Sequence, residues 1–185
     1  LYDVVDGPDG DDRTLRPNQL LALSLRYPVF DTDDQKSVLD MVTRHLLTPY
    51  GLRTLSPEDG AYRGRLLPQG EQYPQALHQG SVWGWLIGPY IEAMQAIYRD
   101  STTFDHKQED CLHHEYLCHR SLHLLASFRD QLDHDILGMS AGLFDGDAPH
   151  RAEPGSASAL VTAELLRTYE MLAQVPISHS EQVLA

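Results

Sequence analysis

His78-Gln79-Gly80-Ser81-Val82-Trp83-Gly84-Trp85-Leu86-Ile87-Gly88-Pro89-Tyr90 leads into an apolar stretch that continues to Tyr98. From Val82 to Tyr98 it carries two Trp, two Tyr and a Met, with few charges on any face. A helix apolar all round is buried, so residues 82–98 are predicted to form a largely buried helix. Downstream, residues 104–133 have an amphipathic pattern, with Leu112, Leu117, Leu124, Leu125 and Phe128 as the buried stripe. Ala159, Leu160, Ala163, Leu166, Tyr169 and Leu172 mark a last helix over 158–174. Upstream, Asp31-Thr32-Asp33 is a start signal for a helix over 33–47, with Val38, Met41, Val42, His45 and Leu46 at three- and four-residue spacing. Pro17 opens a shorter helix over 17–27. No strand is convincing, so the predicted class is all-α, with the helices in antiparallel hairpins. Residues 48–80 and 138–157 are left as long loops, which are more often functional than idle. Residues 1–176 read as one domain and 177–185 as a flexible tail.

The 185 residues and 42% hydrophobic content suit a domain with a real core. A net charge of −13, with only 14 Lys and Arg, excludes a nucleic-acid binder and suits a neutral substrate. No run reaches the roughly 20 apolar residues of a membrane helix, and Leu1-Tyr2-Asp3 opens no signal peptide. Cys111 and Cys118 lie roughly 10 Å apart along a helix, too far for a disulfide, which predicts a reducing, cytoplasmic setting. His114, Glu115, Cys118, His119 and His123 have helical spacing that a metal could use, but they lack a His-Glu-x-x-His signature and read as a solvated face. No metal or cofactor is expected. Asp9, Asp11 and Asp12 lack the rest of a calcium loop, so the run from Asp3 to Asp12 reads as a solvated loop.

Seven blocks occur in order along the chain: Leu1–Gly7, Leu15–Leu20, Thr48–Pro57, Ala61–Arg65, His78–Tyr90, Phe144–His150 and Ala163–Arg167. Together they resemble the bacterial and archaeal amylo-α-1,6-glucosidase family, the glucosidase module of glycogen-debranching enzymes. The resemblance implies an (α/α)6 toroid with sugar bound in its central funnel, of which this chain would supply the C-terminal part, about half. It implies inverting hydrolysis of α-1,6-glucosidic branch points in glycogen or related α-glucans, with the general acid upstream. It also implies that the general base, a Glu in the family, falls at Gly142. Further departures are Ser158 and Leu160 where the family has Gln and Trp, Gly84 for a proline, and Leu77 for a tyrosine.

Inverting hydrolysis needs an acid and a base roughly 6.5–9.5 Å apart, and glycine cannot abstract a proton. Asp145 and Asp147 are the possible substitutes. For sugar binding, Trp83 offers an aromatic face, and His78, Gln79, Arg16, Asn18, Arg53 and Arg63 offer polar groups; Asp3 and Asp6 fall within a matched block. Trp85 and Tyr90 read equally well as core aromatics. The expected partners are an α-glucan and either a second copy or the missing N-terminal half of the module. Half a ring would leave Leu20, Leu21, Leu23 and Leu25 open at one end, and Leu160, Leu165, Leu166 and Leu172 at the other. The alternative reading is a non-catalytic glucan-binding or self-associating domain.

Overall fold

The computed structural model describes residues 1–25, 27, 29–67, 73–100, 107–135 and 138–174. The tail expected over 177–185 lies outside them.

A hairpin of β1 (Val4–Gly7) and β2 (Gly10–Asp12) comes first. It leads to α1 (Asn18–Leu23) and α2 (Thr32–His45). Then come β3 (Leu47–Thr48), β4 (Gly51–Arg53), α3 (Tyr73–His78) and β5 (Val82–Trp83). A 3-10 turn at Gly84–Leu86 feeds α4 (Ile87–Asp100), which α5 (Lys107–Ala126) follows. A π turn at Gln131–Asp135, β6 (Leu143–Phe144) and α6 (Ala159–Ala173) complete the order.

The all-α expectation is therefore overturned. The helices surround a four-stranded antiparallel sheet in the order β3-β4-β5-β6, and β1-β2 forms a second sheet, so the class is mixed α and β. β4 and β6 grow out of the two long segments expected to be loops, and β1-β2 out of the run from Asp3 to Asp12. Leu52 lies opposite Trp83, and Val82 opposite Phe144. Val82 and Trp83, taken as the start of the long helix, instead span the sheet, and the helix begins only at Ile87. The β3-β4 turn depends on Gly51. Its φ is +129°, and a Cβ there would collide with the Trp83 carbonyl of the neighbouring strand.

α4 is the axis of the core. Its Ile87, Tyr90, Ile91, Ala93, Met94 and Ile97 are all buried, and α1, α2, α5 and α6 pack around it. Each such large side chain stabilises the fold by about 1.5–3 kcal/mol. The Tyr90 hydroxyl bonds Thr43 Oγ1 at 2.8 Å, so Tyr90 is a core residue rather than a ligand contact. Tyr50 stacks on Phe144 at 4.6 Å and meets Phe128 edge-on, which joins the sheet to the segment after α5. Leu112 of the predicted α5 stripe lies outside the residues whose side chains are described. Arg167 of α6 bridges Glu92 of α4 and Glu164, and Glu164 packs over Gly88, where a Cβ would collide with it.

Asp31 caps α2 by accepting from the Asp34 N–H, and Ser158 caps α6 by accepting from Val161 N–H. α1 stops at Leu23 rather than Tyr27, leaving Leu25 exposed. Of the eight leucines expected at open flanks, Leu20, Leu23, Leu165 and Leu172 are buried within the chain. Leu21, Leu25, Leu160 and Leu166 are exposed. Among the described residues, no helix is long and apolar enough to cross a membrane, and no group of three His, Cys, Asp or Glu side chains could hold a metal.

Candidate functional site

The start of α1, the β4 strand and the α3-β5 turn meet at Arg16. Its guanidinium donates to the carbonyls of His78 (2.7 Å) and Thr54 (3.2 Å) and to Gln79 Oε1 (3.1 Å), and pairs with Asp3 at 3.3 Å. Asn18 Nδ2 donates to the other Asp3 oxygen at 2.8 Å. One arginine fork thus ties together three segments far apart in sequence. Beside it lies a cavity of about 130 Å³, lined by Arg16, Asn18, Thr54, His78, Trp83 and Trp85 among others. The indole of Trp83 is half-buried, its N–H donates to the Leu77 carbonyl at 3.0 Å, and its ring lies 5.6 Å from that of His78. The His78 side chain is exposed. Arg16, Asn18, His78 and Trp83 therefore come together at one cavity, with Asp3 and Gln79 bonded to Arg16.

The remaining expected residues lie elsewhere. Asp6 sits on the exposed hairpin at φ 55°. Arg63 folds back onto the carbonyl of Tyr62 at 2.7 Å and is exposed. Arg53 Nε donates to the Gly146 carbonyl at 2.8 Å and braces the loop after β6. Thr54 and Tyr62 are functional candidates that the residue-by-residue reading missed, although both lie inside matched blocks. Thr54 Oγ1 accepts from the Gly80 N–H at 2.9 Å, which fixes the turn that carries His78 and Gln79.

Gly142 lies against this site, because its carbonyl accepts from the Gly84 N–H at 3.1 Å, next to Trp83. Its own N–H donates to the Ser156 carbonyl at 2.7 Å. The two nearby carboxylates are already engaged. Asp145 Oδ1 accepts from the Leu66 N–H at 2.8 Å. Asp147 Oδ1 accepts from the Tyr62 hydroxyl at 3.0 Å, and burial together with this bond pushes the Tyr62 phenol up to about 12. A general base must reach a water at the sugar, and neither Asp145 nor Asp147 lines the cavity beside Arg16.

Two indoles, an imidazole, an amide and a guanidinium around one small cavity are the groups that bind neutral, hydroxyl-rich ligands. Comparison with known proteins gives the class as glycoside hydrolase. The model of the amylo-alpha-1,6-glucosidase family matches residues 1–167, and the chain belongs to that family. It is also similar to the glycogen debranching enzyme of Saccharomyces cerevisiae, 29% identical over 97 residues. That match covers 47% of this chain and spans only 6% of the yeast protein.

Proposed function

We propose that this domain supplies part of the α-glucan site of a glucosidase module that hydrolyses α-1,6-glucosidic branch points in glycogen or related glucans. In this reading the cavity beside Arg16 holds a sugar, with Trp83 against its ring and His78 and Asn18 at its hydroxyls. The family membership and the convergence of these residues on one cavity support it.

We further propose that the chain alone has little or no activity. The observation that carries this is Gly142, which offers no carboxylate where the base is expected, while Asp145 and Asp147 are held by Leu66 and Tyr62. Losing a general base costs about 10²–10⁴ in rate. A glucose-release assay on a singly branched dextrin tests this. No release is expected; release at the rate of an intact debranching enzyme would sink the assignment of Gly142. If release is slow but real, Asp145→Asn and Asp147→Asn identify the recruited group.

Gly142 also favours a second reading, a glucan-binding domain without catalysis. Tight binding of the dextrin with no turnover, even with the rest of the polypeptide present, separates it from the first. Self-association, or docking on the remainder of the module, is proposed to cover Leu160, Leu166 and Tyr169, all more than half exposed on α6.

A further inference from the structure

A second cleft, of about 270 Å³, opens on the loop after β6. Arg65, Leu67, Asp145, Arg151, Glu153 and Pro154 are among the residues that line it. Its charged groups are arranged unusually for a chain of net charge −13. Arg65 and Arg151 line the cleft together with Asp145 and Glu153, yet among the described residues neither guanidinium forms an ion pair or a side-chain hydrogen bond. The carboxylates are oriented by neutral donors instead: Leu66 N–H reaches Asp145 Oδ1 at 2.8 Å, and the Tyr73 hydroxyl reaches Glu153 Oε1 at 2.6 Å. The second oxygen of each carboxylate takes no hydrogen bond from a described residue.

The cleft therefore combines acceptors fixed by neutral donors, guanidiniums unpaired among the described residues, and apolar surface from Leu67 and Pro154. Its formal charges cancel, two positive against two negative. An anion would have to sit against both carboxylates, whereas a hydroxyl group can donate to one side and accept from the other. The loop that lines this cleft also packs against the turn that carries His78, since a Cβ at Gly146 would collide with the Gly80 carbonyl. Asp145 lines the cleft, Arg53 holds the next carbonyl, at Gly146, and Tyr62 holds Asp147.

We propose that this cleft is a second carbohydrate subsite, which takes the hydroxyl groups of a neutral α-glucan chain; the inference rests on the glucan reading above. It engages sugar units beyond the one held near Trp83, so it matters for an oligosaccharide and not for glucose.

Calorimetric titration of the intact polypeptide with maltohexaose and with glucose tests the proposal. Arg65→Ala combined with Arg151→Ala is expected to weaken maltohexaose binding about tenfold, the size of losing one or two charge-assisted hydrogen bonds, with glucose binding unchanged. Both arginines are exposed, so the fold should survive the change. Glu153→Gln, which leaves Tyr73 an acceptor, should weaken maltohexaose in the same direction without lowering the Tm. Unchanged maltohexaose affinity in both variants would overturn the second subsite while leaving the first intact. If the unaltered protein binds neither sugar, the glucan reading falls as well. Competition by inorganic phosphate that depends on Arg65 and Arg151 would overturn the choice of a neutral ligand.

Discussion

Gly142 and Ser158 face each other so closely that a Cβ added at Gly142 would lie 3.0 Å from the Ser158 Cβ. The Gly142 backbone is pinned on both sides, by the Ser156 carbonyl and the Gly84 N–H, so it cannot swing away from the contact. A carboxylate at 142 therefore needs more than one substitution. Gly142→Ala and Gly142→Glu are expected to destabilise the fold by about 1–3 kcal/mol through overpacking. Adding Ser158→Gly should recover part of the loss, since glycine is nearly as good a helix cap as serine. Denaturant melts of the single and double variants measure the coupling, and strictly additive effects would contradict the contact.

Arg16 is expected to be the most sensitive polar residue of the site. Arg16→Ala leaves two carbonyls, a side-chain amide and Asp3 without their common donor, at a cost of about 2–3 kcal/mol. Arg16→Lys should be nearly as damaging, because an ammonium cannot reproduce a planar fork. Chemical denaturation decides; a lysine variant as stable as the parent would show that charge alone suffices.

The two tryptophans, Trp83 and Trp85, both line the first cavity, so the whole indole emission of the chain comes from that site. Glucose or maltohexaose is expected to shift this emission, and His78→Ala to weaken the response severalfold. A titration in which emission stays constant while calorimetry reports binding would place the sugar elsewhere.

Tyr62 supplies a pH dependence. Its phenol rises from the ordinary value near 10 to about 12, first through burial and then through its bond to Asp147. The folded state thus holds the proton more tightly than the unfolded chain does. The resulting stability is fully present below about pH 10 and is lost as pH rises from there towards about 12. Tm measured against pH should fall less steeply across this window in Tyr62→Phe than in the parent. Identical slopes would mean that the phenol titrates alike in both states.

Self-association is expected from the exposed leucines of α6. Light scattering at micromolar concentration should give a mass above 20.8 kDa, and Leu166→Asp should return it to that value. A monomeric parent would mean that water tolerates this face, or that another part of the module covers it.

Most of the helical framework was legible from periodicity. α2 and α6 fall within a few residues of their expected bounds, because Asp31 and Ser158 are strong caps and the apolar spacing behind them is regular. The four-stranded sheet was not legible. None of its strands exceeds three residues, too short to show alternation, and Val82 and Trp83 merge with the apolar run of α4. Within the site, Arg16, His78 and Trp83 were identifiable because they stand in matched blocks. Their mutual geometry was not, since it depends on backbone carbonyls at Thr54, Leu77 and His78 that no sequence pattern reports.

Three loops beside the site cross with a glycine at each of their closest contacts. A side chain at Gly64 would run into Asp147, one at Gly146 into the Gly80 carbonyl, and one at Gly80 into the Arg63 carbonyl at 2.6 Å. Intolerance to substitution, which proteins ordinarily concentrate in their interiors, has here moved out to a crossing of loops. In a library randomised one residue at a time, this crossing should stand out as a second island of intolerance, apart from the leucines and isoleucines around α4. Divergence within it would need to arrive in concert, several positions at once. In a domain of this build a single side chain facing the cavity can change at one step, while the loop crossing beside it stays fixed for far longer.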